Sequence, residues 1–558
     1  MDNRRLFLVA AVAVIAFALY QTWMLDYGPR PEPHATPAAA SGAVSGAATP
    51  PANTAGAAAT ANTGGAEAAP PAPAAVAALP KGREVHVRTD VLDLTIDTAG
   101  GDICRAALIK YPVTLKDPDQ HVRVLDDSPD SLLVQQGGVQ VDKGLAVGAD
   151  AVYTTAQTDY TLAQGSDTLK VALTWDEGDG LTLSKTYTLT RGSYQVRVDY
   201  TVQNAGRQPW TGSAWWQWQN NYVAPHTGFF STTRYDYQRM ALRDADGYKQ
   251  RDFPKVAESP ISESVEGGWV AVVEHYFLAA IIPAGQQKNL YYSKSAGAGH
   301  FVTGGVSAQK TAAPGASADF SATLYIGPKL QTELATVAPQ LELTVDYGKL
   351  TVLAQPIFWV LSHIEKFIGN WGWSILILTL LIKAATYKLN EISGRSMAKM
   401  RVLAPRLKQL QERYKDDRQK LAQATMELYK KEGANPASGC LPMVIQIPIF
   451  FSLYYVLVDS VELRHAPWTL WIHDLSAPDP YYVLPVIYAA AMFIQTHLQP
   501  PPQDKTQAMM VKIMPLALAV FYMVLPVGLV LYYLANSIIT IAQQRYINKL
   551  IEKESKKA

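Results

Sequence analysis

The 558-residue chain sets 49 Lys and Arg against 48 Asp and Glu, a net charge of +1, so no overall field steers it towards nucleic acid. Hydrophobic residues make up 48% and charged residues 17%, below the usual quarter, which tilts the reading to a membrane protein. The two cysteines, Cys104 and Cys440, stand outside any CxxC or Cys/His cluster, which excludes a disulfide scaffold and argues against structural zinc.

The chain opens MDNRR and is then apolar from Leu6 to Leu25. About 20 residues at 1.5 Å each match the roughly 30 Å hydrocarbon core. A secretory signal peptide would carry a shorter apolar stretch ending at a small-residue cleavage site. This run closes instead on Tyr20, Gln21, Thr22 and Trp23, an interfacial belt. Residues 1–27 therefore read as an uncleaved anchor, with Arg4 and Arg5 holding the N-terminus in the cytoplasm. Residues 28–82 are almost all Ala, Pro, Gly, Thr and Ser. They lack the large apolar groups that offset ordering and read as a disordered tether of roughly 40 Å reach.

From 83 to 349 the pattern changes to period two. Leu92, Leu94 and Ile96 alternate with Asp93, Thr95 and Asp97 before Gly100-Gly101. Val196, Val198, Tyr200 and Val202 repeat the pattern, as do Phe320, Ala322, Leu324 and Ile326. Short alternating runs between Gly, Asp, Asn and Pro turns predict a large antiparallel β-sandwich outside the cytoplasm. Residues 328–338 read as a helix capping the sheet. The run Trp215-Trp216-Gln217-Trp218 is either a binding platform or sandwich core with one edge.

Residues 350–370 place Ile357, Phe358, Val360, Leu361 and Ile364 beside His363, Glu365 and Lys366, an amphipathic helix lying on the outer interface. An apolar core, 371–545, follows, with spans at about 373–389, 441–461, 482–498, 509–525 and 527–541, so that six transmembrane helices are expected with the anchor. Eleven basic residues between Arg395 and Lys431 contrast with the lone Arg464 of loop 462–481. With the basic tail 546–558, this asymmetry puts both termini and the 390–440 segment in the cytoplasm.

Within 395–432, Met397, Met400, Leu403, Leu407, Leu410 and Tyr414 recur at helical spacing, and Leu421, Thr425 and Leu428 do so again. The pattern reads as a helical hairpin with one apolar seam and a basic surface bearing Arg401, Arg406, Lys408 and Arg413, kinked at Pro405. The plain alternative is a solvated loop.

Lys383 lies about ten residues into a span. A cation at a helix centre costs roughly 2.5–3.5 kcal/mol, so it is either functional or snorkelling to the headgroups. Thr379, Lys383, Tyr387 and Asn390 form one polar stripe; Tyr533, Asn536, Thr540 and Gln543 or Gln544 form another, and Gln446 stands alone at similar depth. The outer halves stay apolar, so these groups outline a wet cavity blind on its outer side. Apart from Asp459 at the outer end of 441–461 the spans hold no Asp or Glu, and the chain has no HExxH, GxSxG or P-loop to suggest an enzyme. Met509, Met510 and Met514 open the fifth span as either an adaptable contact surface or plain packing.

GNWGWSILILTLLIK, SMAKMRVLAPRLKQLQERYKDDRQ, NPASGCLPMVIQIPIFFSLYYVL, VELRHAPWTLWIHDLSAPDPYYVLP and PVGLVLYYLANSIITIAQQ strongly resemble the YidC/Oxa/Alb insertase family, in its Gram-negative form with a large periplasmic domain. The resemblance covers the last two hundred residues closely and implies a polytopic helical inner-membrane protein with a β-supersandwich periplasmic domain. It implies a five-helix insertase core with a hydrophilic groove open to cytoplasm and lipid but closed to the periplasm. The family's groove cation, threonine and glutamine map onto Lys383, Thr379 and Gln446, and its substrate-contacting tyrosines onto Tyr532 and Tyr533. Most relatives carry Arg where this chain has Lys383, which keeps the charge but loses the bidentate fork. The resemblance implies no cofactor and no nucleotide. Its implied partners are nascent membrane proteins, the Sec translocon with its accessory proteins, membrane lipids and the ribosome, which the basic hairpin and tail would meet, with a monomer sufficient. Two rivals make different demands: a transporter an internal repeat, an envelope-biosynthesis enzyme paired carboxylates, and neither is present in the spans.

Overall fold

Where apolar and polar residues alternate, the chain pairs into strands. The computed structural model describes residues 81–141, 146–147, 151–178, 180–222, 224, 237–297, 299–414, 417–433, 441–498 and 505–557. The expected anchor, and the tether up to residue 80, lie outside the described residues. Between Glu84 and Pro328 the strands form a 12-stranded and an 8-stranded sheet. Val196, Val198, Tyr200 and Val202 all point into the core, as do Phe320, Ala322, Leu324 and Ile326 on the strand paired beside them. One pairing departs from the expected antiparallel rule: Glu84–Arg88 runs parallel to Asp159–Thr161, which the long intervening chain permits.

The tryptophan run sits in strand Trp210–Asn221, hydrogen-bonded on both sides. Trp216 and Trp218 lie in the main core, Tyr200 packing 6.1 Å from Trp216, while Trp215 joins Leu290, Tyr292, Val302 and Val306 in a small cluster apart. All three indoles are buried, so the platform reading is overturned: Trp216 and Trp218 lie in the main core, and Trp215 packs among side chains of neighbouring strands in its own sheet. A short helix α1 (Phe253–Glu258) and helix α2 (Gln331–Val337) complete the domain, the latter where the sequence places a capping helix.

Helix α3 (Thr351–Ile368) buries Ala354, Phe358 and Leu361 and leaves Val352, Trp359 and the 91% exposed Phe367 outward. The core follows as α4 (Trp371–Ala385), α5 (Tyr387–Arg413), α6 (Arg418–Lys431), α7 (Leu441–Asp459), α8 (Val483–Leu498), α9 (Lys505–Tyr522) and α10 (Val527–Lys557). Five of these, α4, α7, α8, α9 and α10, occupy the five expected spans after the anchor. By length and apolarity, residues Val527–Leu550 alone form an uninterrupted crossing helix among the described residues, and the bent pair Trp371–Ala385 and Tyr387–Met397 forms a second. In α7, α8 and α9 the apolar stretches are shorter, Val444–Asp459, Val483–Leu498 and Val511–Tyr522. Bilayer-facing surface is nonetheless evident: Leu380, Ile447, Phe451, Val486, Leu516 and Val520 are large, apolar and exposed.

Two span ends differ from expectation. The first stops at Ala385 because the chain bends by 67° at Thr386, where the Thr386 hydroxyl donates to the Ile382 carbonyl. The last runs on to Lys557 instead of ending near 541, since its polar continuation is rich in helix formers. The hairpin also starts earlier, at Tyr387, and α5 continues through Pro405 so that the sharp bend falls at Thr386 rather than at the proline. Its seam is Leu403 against Tyr429, with Met400 and Leu428 beside them. Asp417 accepts from the Lys420 amide and caps α6.

The β domain and the helices belong to one compact unit and interlock. Val461, just past α7, joins the β core, while Val345 and Tyr347 join the helical core. His275 Nε2 lies 3.1 Å from Asp459 Oδ1, and Arg464 donates to the carbonyls of Pro112 and Val113 at 2.8 and 3.1 Å. Glu462 places its carboxyl against the backbone N–H of Gln331, with Oε2 buried and unpartnered among the described residues. Burial pushes this carboxyl up to about 7, the N–H groups of Glu462 and Gln331 opposing.

Because the folded joint raises this group from its ordinary 4.5, its contribution is complete below that pH and is lost as pH rises through about 7. Thermal unfolding of the full-length protein should therefore show a midpoint that falls between about pH 5 and 8. Glu462→Gln should flatten the fall; an unchanged pH profile in that variant would remove Glu462 as its cause.

Candidate functional site

Helix α4 is held at its outer end before it carries any polar interior. Asn370 caps it, accepting from the Trp373 amide at 3.1 Å and donating to the carbonyls of Pro467 and Trp468. Gly372 lies flush on Trp468, where a Cβ would come within 2.2 Å of the indole. The inward face then presents Ile375, Leu378, Thr379 and Lys383, all buried, while Leu380 and Leu381 face outward.

Lys383 is 8% exposed and donates from Nζ to Thr540 Oγ1 at 2.9 Å. Thr540 in turn donates to the Asn536 carbonyl at 2.7 Å. About two turns nearer the start of α10, Gln446 Nε2 of α7 donates to the Tyr532 hydroxyl at 2.8 Å. Tyr533 packs among Phe450, Tyr488, Tyr522 and Tyr532 with ring centroids 5.0 to 6.3 Å away. Its hydroxyl is buried and makes no hydrogen bond among the described residues. Helix α10 is thus the hub: Lys383 reaches it from α4 and Gln446 from α7. Thr379 belongs to the same inward face, but its hydroxyl donates back to Ile375 at 2.7 Å and keeps only acceptor capacity for another group.

The expected four-residue stripe on α4 is cut short. Tyr387 and Asn390 lie beyond the bend at Thr386, Tyr387 exposed and Asn390 bonded to the Thr386 hydroxyl at 3.2 Å, because the bend rotates them out of register with Lys383. Of the expected hairpin cations, Arg406, Lys408 and Arg413 are exposed, and Arg406 pairs with Glu432 at 2.7 Å. The side chain of Arg401 lies outside those described. Met509 and Met514 are exposed, and the Met510 side chain is likewise outside those described.

Sequence reading missed the loop that packs on the outer end of the core. Buried Asp479 accepts from Trp471 Nε1 at 3.0 Å and from the amides of Tyr481 and Leu484 at 3.1 and 2.8 Å. Asp474 accepts from the His465 and Ser476 amides. The loop's Leu475 and Ala477 carbonyls then receive the Gly528 and Val527 amides, pinning the start of α10. His465, Leu470 and Tyr482 adopt positive φ near 56–57°, a conformation L-residues hold only where surroundings impose it. The available signal was the paired Asp residues of DLSAPDPYY, side chains suited to bonding nearby amides.

Residues 84–360 match the family description "YidC periplasmic domain", and residues 363–555 match "60Kd inner membrane protein". A periplasmic β domain joined to an apolar-belted helical core with a polar interior is the build of an inner-membrane insertase, a non-enzymatic protein. The membrane protein insertase YidC of Thioalkalivibrio sulfidiphilus is 42% identical over 569 residues, and that of Pseudomonas syringae pv. tomato 41% over 561, each covering 100% of both chains. A solved structure described as an active YidC insertase with its first transmembrane domain resolved aligns at 21% identity, covering 83% of this chain and 92% of that one, with a TM-score of 0.38. The chain belongs to the YidC membrane protein insertase family.

Asp479→Ala strips three donors, one buried and two part-buried, of their acceptor, a cost of about 3 kcal/mol. A cysteine replacing the buried Ser374 should then become reactive to a membrane-impermeant maleimide added from the periplasmic side, whereas in the parent it stays protected. Equal protection in both would mean that this loop is not the outer seal.

Proposed function

We propose that Lys383, Thr379, Gln446, Tyr532, Tyr533, Asn536 and Thr540 line a groove, open to cytoplasm and lipid and closed to the periplasm, through which short hydrophilic tails of incoming membrane proteins pass. The observation that carries this reading is Lys383, a buried cation whose hydrogen-bond partner is a neutral hydroxyl. Among the described residues it has no carboxylate partner, so its potential remains available to an acidic tail. Snorkelling would predict an ammonium among headgroups rather than one bonded to Thr540 on the neighbouring helix.

The energetics fit a passage without nucleotide. The apolar helices of 16 to 19 residues are about 24–29 Å long, at or below the hydrocarbon thickness, which favours local thinning of the bilayer. A tail entering a hydrated inner half has less hydrocarbon left to cross. Its following segment slides into lipid along α7 and α9, whose Ile447, Phe451, Leu516 and Val520 are exposed, and burial of about 20 apolar residues drives the step.

Nascent membrane proteins are the substrates in this reading, taken alone or together with the Sec translocon and its accessory proteins. The exposed Arg406, Lys408 and Arg413 and the basic C-terminal tail suit a membrane surface or ribosomal RNA. Both termini are cytoplasmic, and a single copy holds every groove residue.

Lys383→Arg should be tolerated, Lys383→Glu should fail, and Lys383→Ala should hurt most for substrates with acidic tails. Insertion of one substrate with its tail carboxylates present or neutralised decides this, and an Ala defect independent of tail charge would end the electrostatic role. Deleting residues 397–430 should abolish insertion while the remaining helices stay membrane-integrated. Full activity without them would return the hairpin to a solvated loop.

A further inference from the structure

The 67° bend at Thr386 uncouples the direction of α5 from that of α4, so helix continuity does not set the angle at which the hairpin leaves the core. A second contact has to. Near its base α5 carries Ser393, Gly394 and Ser396, all buried. Opposite it, α10 continues to Lys557, and in its stretch 541–550 Ile547 is the buried residue, 2% exposed, beside the exposed Tyr546. A Cβ on Gly394 would stand 2.7 Å from Ile547 Cδ1 and 3.4 Å from Gln544 Oε1. Gln544 is itself tied to Asn548 at 3.0 Å, which stiffens the same face of α10. The bare backbone at 394 lets the Ile547 side chain seat against α5, and a side chain there would have to displace it.

We infer that the contact of Gly394 with Ile547 positions the hairpin, making the extension of α10 beyond the bilayer a strut that sets the hairpin's angle over the groove. The physical role is that of a stop. Ile547 is the stop, and the bare backbone at Gly394 rests on it. The inference rests on the hairpin acting in insertion, as proposed above.

The test uses the full-length protein in nanodiscs and proteoliposomes, with Cys104 and Cys440 replaced by serine. Spin labels at Glu412→Cys on α5 and His497→Cys on α8 report the hairpin's angle. Gly394→Leu should shift the label distance and lower insertion about fivefold or more, and adding Ile547→Ala should restore both to within about twofold. Ile547→Phe, which adds bulk from the other side, should reproduce the shift and the defect should Gly394→Leu fail to accumulate. A wild-type rate in Gly394→Leu, a defect that Ile547→Ala does not relieve, or failure of both bulky variants to accumulate would each overturn the positioning role. If the 397–430 deletion inserts normally, the hairpin reading itself fails; if that deletion is inactive and Gly394→Leu is active, only the strut is refuted.

Discussion

Hydrocarbon offers no water to a polar side chain, so every polar group of the helical core must find its partner within the protein. Most do so locally: Ser374, Thr379 and Ser452 return their hydroxyl protons to carbonyls four residues back. Those bonds satisfy the side chain and commit it to nothing else. The exceptions define the site. Lys383 and Gln446 reach across to α10, and the Tyr533 hydroxyl, enclosed by four aromatic rings, has no partner among the described residues. Charge and unspent hydrogen-bonding capacity gather along α10 and on the two helices that reach it.

The outer end of the core is built differently. There the polar groups are carboxylates saturated by amides, Asp479 with three donors and Asp474 with several. A saturated carboxylate is a fastener, and the loop it fastens is anchored to the first turn of α10. The same loop region carries the contacts to the β domain through Asp459, Glu462 and Arg464. The segment that packs on the outer end of the core therefore also carries contacts to the periplasmic domain.

On the inner side the chain trades rigidity for reach. The bend at Thr386 ends α4 just past Lys383 and sends α5 outward as one arm of a hairpin whose own seam is small, Leu403 against Tyr429. So small a seam holds the two arms to each other but cannot by itself aim them. Their attachment depends on a close contact with α10, the helix that also receives Lys383 and Gln446.

Much of this was legible in the sequence by itself. Period-two alternation such as Val196, Val198, Tyr200 and Val202 determined strands and their inward faces, because a half-buried pleat admits only that pattern. Apolar runs determined the core helices, and a basic residue in the middle of one singled out Lys383, because such a residue is costly wherever it lies. Partners between distant segments were not legible. Which hydroxyl meets Lys383, 157 positions away, depends on how α4 and α10 pack. Whether Tyr387 continues the Lys383 stripe depends on a bend that no spacing announces, and whether Trp215, Trp216 and Trp218 are exposed depends on the side chains that neighbouring strands set around them. Periodicity reports the surroundings of a residue averaged over its own element; only the tertiary structure decides which element supplies them, because those contacts form between side chains whose separation in sequence carries no information about their separation in space.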